Sequence, residues 1–189
     1  VLLGKGVDGL LVGGAVNVGG VGKVRSLTIT GTATSGDGIT TTAALRATGA
    51  LTLTGHTNTG ANGIDVGSTL ASTVAGDVIL SGKSGGTIAA VYTTGVNLAN
   101  ALTVASGNLT IQGSSLVGGI ATPLAGSSAT GSRYGFSTAA AGDITVSGNI
   151  SLAGTSVTFM GGYLLGDVLS TDGNVALTGA GLYAMSLSG

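Results

Sequence analysis

The side chains able to do chemistry are few. The 189-residue chain has seven Asp, no Glu, no Cys, six Lys or Arg and a single histidine, His56. A zinc site needs more nitrogen or sulfur ligands than one imidazole supplies. The one GxSxG match, GKSGG at 82–86, lies in a Gly- and Ser-rich strand context rather than at the strand-to-helix turn of a nucleophile elbow. Asp8, Asp37, Asp77, Asp143, Asp167 and Asp172 each adjoin a glycine, which is turn chemistry rather than a carboxylate dyad. The tandem GGxGxDxUx of a calcium β-roll is absent. The glycine run LVGGAVNVGGVG has neither the Lys of a phosphate loop nor a βαβ context. Lys5, Lys23, Arg25, Arg46, Lys83 and Arg133 are scattered, so no basic patch points to nucleic acid. They spread over several repeats, unlike the clustered acids and bases of a β-helical polysaccharide lyase. The expectation is no enzyme, no cofactor and no metal.

Two side-chain types remain for binding. Thr28, Thr30, Thr52, Thr54, Thr110, Thr145 and Thr178 have a spacing that would line one outward face, as the Thr ranks of ice-binding solenoids do. Ile79, Ser81, Gln112 and Ala176 interrupt that array, and Thr is also an ordinary strand residue. The aromatics all lie from residue 92 onward: Tyr92, Tyr134, Phe136, Phe159, Tyr163 and Tyr183. Tyrosine rings can stack on surface glycans; the plainer expectation is inward stacking at one corner of the fold. Asn108-Leu109-Thr110 and Asn149-Ile150-Ser151 match glycosylation sequons.

Something must position these residues, and composition narrows what. Hydrophobic residues make up 43% of the chain and charged residues 7%, against roughly 25% charged in an average domain. Net charge is −1, so hydroxyls and amides carry solubility. Glycine numbers 38 and proline one, Pro123, which argues against collagen and Pro-rich linkers. Apolar runs fall well short of the ~18 residues of a membrane-spanning helix. The chain opens at Val1 without an initiator Met or a signal-like leader, and reads as a mature segment or an excerpt beginning in mid-pattern.

A five-residue word recurs: LTITG at 27–31, LTLTG at 51–55, VILSG at 78–82, LTIQG at 109–113, ITVSG at 144–148 and VALTG at 175–179. Alternation of period two with β-branched residues predicts a strand with one buried face. The closing Gly predicts a bend or a positive φ where the strand stops. The copies begin 24, 27, 31, 35 and 31 residues apart. Between them stands Gly and then a large apolar residue, at 9–10, 38–39, 63–64, 95–96, 135–136 and 181–182, with a weaker copy at 162–163. A third apolar burst usually comes next. Three short strands per repeat, none able to bury its own face, describe coils stacked on one another.

The expected fold is all-β: a right-handed parallel β-helix of six to seven coils, each about 24–35 residues with three short strands. Leu51, Leu53, Ile64, Val66 and Leu70 should face inward, and Thr52, Thr54 and Asp65 outward. Residues 113–133 should hold a protruding loop. Asp77, Asn108, Asp143 and Asn174, each before a copy of the word, should form one stacked corner of alternating carboxylate and amide. Residues 1–189 are expected to form one solenoid segment, uncapped at both ends, abutting further solenoid or another copy of itself.

The words GNLTIQGSS, GDVILSGKSGG and GDITVSGNISLAG resemble the repeats of filamentous-haemagglutinin-type adhesins, the exoproteins of two-partner secretion. The resemblance runs from about Lys5 to Ser188. It implies a right-handed β-helix, export to the cell surface, and service as a long extracellular fibre without catalytic residues. The family's secretion domain and its Asn-Pro-Asn-Gly-type motifs do not occur in this sequence.

Overall fold

The structure is a computed structural model and describes residues 1–59, 62–85, 93–116, 133–157 and 159–188. Among these residues every regular element is a strand, and all three sheets are parallel. The first sheet runs β1 (Leu2–Gly6), β4 (Leu27–Ala33), β7 (Leu51–Thr57), β10 (Val78–Ser84), β13 (Leu109–Ser115), β16 (Ile150–Ser156), β19 (Val175–Ala180). The second runs β2 (Leu10–Val12), β5 (Ile39–Thr41), β8 (Asn62–Val66), β11 (Thr93–Leu98), β14 (Arg133–Thr138), β17 (Met160–Leu164), β20 (Tyr183–Leu187). The third comprises β3 (Val16–Val18), β6 (Leu45–Ala47), β9 (Leu70–Ser72), β12 (Leu102–Val104), β15 (Ile144–Val146) and β18 (Val168–Ser170). The chain visits the sheets in rotation, so it is a parallel β-solenoid of about six turns with three strands per coil.

Identical word positions stack at identical heights. Leu27, Leu51, Val78, Leu109 and Ile150 share one inward column, and Ile29, Leu53, Leu80, Ile111 and Leu152 the next. All ten are buried. Each such side chain contributes roughly 1.5–3 kcal/mol by leaving water. Leu51, Leu53, Ile64, Val66 and Leu70 point into the bore as expected, while Thr52 and Asp65 are half-buried and Thr54 is exposed.

Four details differ from the sequence reading. ITVSG at 144–148 belongs to the third sheet, where Ile144 and Val146 pair with Leu102 and Val104. The first-sheet word of that coil is ISLAG, 150–154. The coil lengths read from sequence as 35 and 31 residues are therefore 41, from Leu109 to Ile150, and 25, from Ile150 to Val175. Val175 and Leu177 do stand in the first sheet, but on its last strand, where they remain 45% and 37% exposed.

The third difference concerns the word's glycine. The strands of the first sheet run on past it, as in Leu51–Thr57, and its φ is not positive in any copy. Fourth, in the sixth coil Gly162 itself takes the apolar column, beside Phe136, with Gly161 in the glycine column. A side chain there would meet the Phe136 ring at 2.7 Å, so this glycine leaves room for the Phe136 ring in the bore. In the last coil Ala184-Met185 replaces the expected Gly181-Leu182.

Candidate functional site

The threonines divide between two faces. Thr28, Thr52 and Thr110 share an outward column of the first sheet with Ile79, Ser151 and Ala176. Thr30, Thr54 and Thr178 share the next with Ser81, Gln112 and Ala153. Thr145 is not on this face: it points outward from the third sheet, between Thr103 and Leu169. Only two successive rungs carry Thr-x-Thr, so no regular hydroxyl grid forms.

The stacked corner exists with one member exchanged. Asp77 Oδ1 accepts the backbone N–H of Asn108 at 2.8 Å and its side-chain amide at 3.1 Å. Asn108 Oδ1 accepts the same two groups of Asn149, at 2.9 and 3.2 Å. Asn149 Oδ1 accepts the Asn174 N–H at 2.9 Å. The column thus reads Asp, Asn, Asn, Asn, with Asn149 where Asp143 was expected. The carboxylate heads it for a reason: the rung before Asp77 offers Ala50, whose side chain cannot accept from an amide. Asp143 lies at the corner leading into the third sheet and accepts the Asp167 N–H. There two exposed carboxylates occupy neighbouring rungs, a repulsion of about 1 kcal/mol at 4 Å in water.

A second ladder climbs the outer face of the second sheet. Asn97 donates its amide to Asp65 Oδ1 at 2.8 Å, and Ser137 donates its hydroxyl to Asn97 Oδ1 at 2.9 Å. The next residue in that column is Tyr163. Beside the ladder, Asp37 accepts the Asn62 N–H at 2.7 Å and the Thr40 hydroxyl at 3.3 Å. Burial holds the Asp37 carboxyl above its ordinary value, with repulsion from Asp65 adding to it, against the lowering effect of the Asn62 and Thr40 hydrogen bonds. A raised folded-state value means that the native protein binds this proton more tightly than the unfolded chain. The stability gained is present at low pH and lost as pH rises through the folded value. Asp37→Asn should therefore melt a few degrees higher than the parent at pH 7. That advantage should vanish below about pH 4. Thermal melts at both pH values check this; a lower melting point for Asp37→Asn at pH 7 would contradict it.

The aromatics do not stack inward. Among the described aromatics Phe136 alone is in the bore. Tyr134 and Tyr163 stack outside it with centroids 5.1 Å apart and planes 14° from parallel. Phe159 packs edge-on against Tyr134 at 5.7 Å and against Tyr183 at 5.8 Å. Tyr183 is 55% exposed. These four rings form one exterior cluster over three coils, beside the corner joining the first and second sheets. Tyr92 lies outside the described residues, as do 117–132 of the expected loop with Pro123. His56 faces outward between Thr32 and Lys83, and its Nε2 pairs with Asn58 Oδ1 at 3.0 Å. Among the described residues no three of His, Cys, Asp and Glu gather into a possible metal site.

The aromatic corner is also where coils vary in length. The first-sheet glycines Gly4, Gly31, Gly55, Gly82, Gly113 and Gly154 face Gly9, Gly38, Gly63, Gly95, Gly135 and Gly161 of the second sheet. Those pairs are 5, 7, 8, 13, 22 and 7 residues apart in sequence. From the second glycine to the next first-sheet word the count holds at 13 to 15 from the second coil on, as in Gly38 to Leu51 or Gly135 to Ile150. Length added here leaves every strand in register. Asn97 and Ser137 were not singled out by sequence; Asn149 stood there only in a glycosylation sequon and Phe159 only among the aromatics. A signal existed for Asn149, which precedes ISLAG as Asn108 precedes LTIQG. The chain matches no family model, no curated protein and no solved structure.

Proposed function

We propose that the chain is a structural segment of an extracellular bacterial fibre or adhesin of the filamentous-haemagglutinin type. Its work is mechanical: coils stack into a stiff rod that presents an uncharged Thr, Ser and Asn surface. The observation that carries this reading is the unbroken column register of three parallel sheets. Each rung is held by its neighbours' backbone at about 4.8 Å. We read the segment as non-catalytic and without a cofactor. Ice binding has weaker support, because the Thr columns are interrupted. A lyase-like site has weaker support too, because Lys5, Lys83 and Arg133 belong to separate coils with no acid cluster between them.

The rod continues, in this reading, beyond both terminal coils. Leu3 and Leu11 are exposed on the first coil, and Val175, Leu177 and Leu187 on the last. Among the described residues, β1, β2 and β3 lack a partner on one side, as do β18, β19 and β20. Such edges recruit further strands, either more of one polypeptide or another copy stacked head to tail. Electron microscopy of native material should show rods. Denaturing electrophoresis then separates the cases: a band near 17.7 kDa for stacked copies, a far larger one for a single long chain. A globular monomer with both end coils covered by its own residues would overturn the rod. Immunogold label confined to the cell interior would overturn the extracellular placement.

A further inference from the structure

We infer that the outer face of the second sheet, from Asp65 to Tyr183, is a binding site for a neutral oligosaccharide lying along the solenoid axis. The inference goes beyond the rod and does not require it. Two independent features converge on this strip. One is the exterior cluster of four aromatic rings, Tyr134, Phe159, Tyr163 and Tyr183. The other is the Asp65–Asn97–Ser137 ladder, which meets the cluster where Ser137 pairs in register with Tyr163.

The chemistry on offer is that of a sugar chain. Pyranose rings have apolar C–H faces that pack on aromatic rings, and equatorial hydroxyls that both donate and accept. Beyond the two ladder bonds, a carboxylate oxygen of the half-buried Asp65 and an amide N–H of the half-buried Asn97 retain capacity, while the buried Ser137 hydroxyl holds the Asn97 amide in place. The column from Asp65 through Asn97, Ser137 and Tyr163 to Ser186 spans four rungs, roughly 19 Å at about 4.8 Å each, enough for several sugar rings. Charge selects a neutral ligand: Asp65, with Asp37 close by, repels an anionic polymer. Placement agrees, since the coil insertions gather at the neighbouring corner, and repeat folds collect insertions on the face that binds.

The chain has no Trp, and three of its four tyrosines are in this cluster, so tyrosine emission reports mainly on it. Titration with cellohexaose, maltohexaose and chitohexaose, with hexagalacturonate as the anionic counterpart, tests the site. At least one neutral hexamer should give a saturable change, confirmed by calorimetry. Affinity should fall at least about tenfold in Tyr183→Ala and in Asn97→Ala, persist in Tyr183→Phe, and be unaltered in Thr52→Ala on the first sheet. Tyr183 is outside the bore, so its removal should leave circular dichroism and melting intact. Overturning results are no saturable binding by any neutral hexamer, binding that survives both alanine variants, or preference for the galacturonate. None of these would alter the rods seen by microscopy.

Discussion

Leu53→Asp should abolish folding, whereas Thr52→Val, one residue away, should leave stability within about 1 kcal/mol. Leu53 is fully buried, stacked between Ile29 below and Leu80 above. A carboxylate in that column has only methyl groups for neighbours. Such a group either remains charged at great cost or takes up a proton. The second route corresponds to a shift of up to 3–5 pK units, each worth about 1.4 kcal/mol. Loss of the leucine's own burial adds roughly 2 kcal/mol. Against a total stability of about 5–15 kcal/mol, the native state loses. Thr52 is half-buried on the outer face between Thr28 and Ile79. Valine has its shape and suits a strand at least as well. Circular dichroism and limited proteolysis of the two variants check the contrast. A Leu53→Asp protein with the parent's spectrum and melting point would mean that this column does not face a closed bore.

That pair of neighbours shows what was legible before any coordinates. In a period-two word, inward and outward are set by which residues are β-branched or aliphatic and which carry hydroxyls, so Leu51, Leu53, Ile64, Val66 and Leu70 could be placed residue by residue. Sheet membership could not. ITVSG and ISLAG both alternate, because every sheet of a solenoid buries one face, and the two words lie within one eleven-residue stretch, 144–154. The chain beyond each glycine separates them. Gly154 leads after seven residues to Gly161, its partner across the corner, whereas Gly148 leads straight into Asn149 and the next strand. The mistaken word carried Asp143 and Thr145 with it into columns that belong to Asn149 and Ser151. The aromatic cluster was hidden for another reason. Tyr134, Phe159, Tyr163 and Tyr183 are far apart in sequence and meet only because three coils bring them to one corner. No local pattern encodes whether such rings turn into the bore or away from it.

Gly113→Ala should cost more than about 3 kcal/mol, while Gly14→Ala should be neutral or stabilising. The sequence assigned the word's glycine a conformational role, and on that view Gly113→Ala would cost only the strain of a left-handed residue, about 1–2 kcal/mol. Positive φ is confined to Gly19, Gly22, Gly76 and Gly107 among the described glycines, so Gly113 is not kept for backbone freedom. It is kept for proximity. A Cβ on Gly113 would run into the carbonyl oxygen of Gly135, stand 2.6 Å from that carbonyl carbon and 3.2 Å from Phe136 Cβ. The obstacle is backbone, held in register by Gly95 and Gly161 on either side, so no rotamer change relieves it. Overpacking typically costs 1–3 kcal/mol where side chains can yield, and here the sheets themselves must part. Gly82 and Gly154 face the same obstacle in adjacent coils. The disruption therefore spreads along the column rather than remaining local. At Gly14 nothing lies within 4 Å of an added Cβ. Alanine there restricts the unfolded chain and gains about 0.4–1 kcal/mol. Denaturant midpoints of the two variants should move in opposite directions. If Gly113→Ala unfolds at or above the parent's midpoint, the first and second sheets do not approach closely. The paired glycines would then be a habit of turn sequence, not the hinge on which each coil closes.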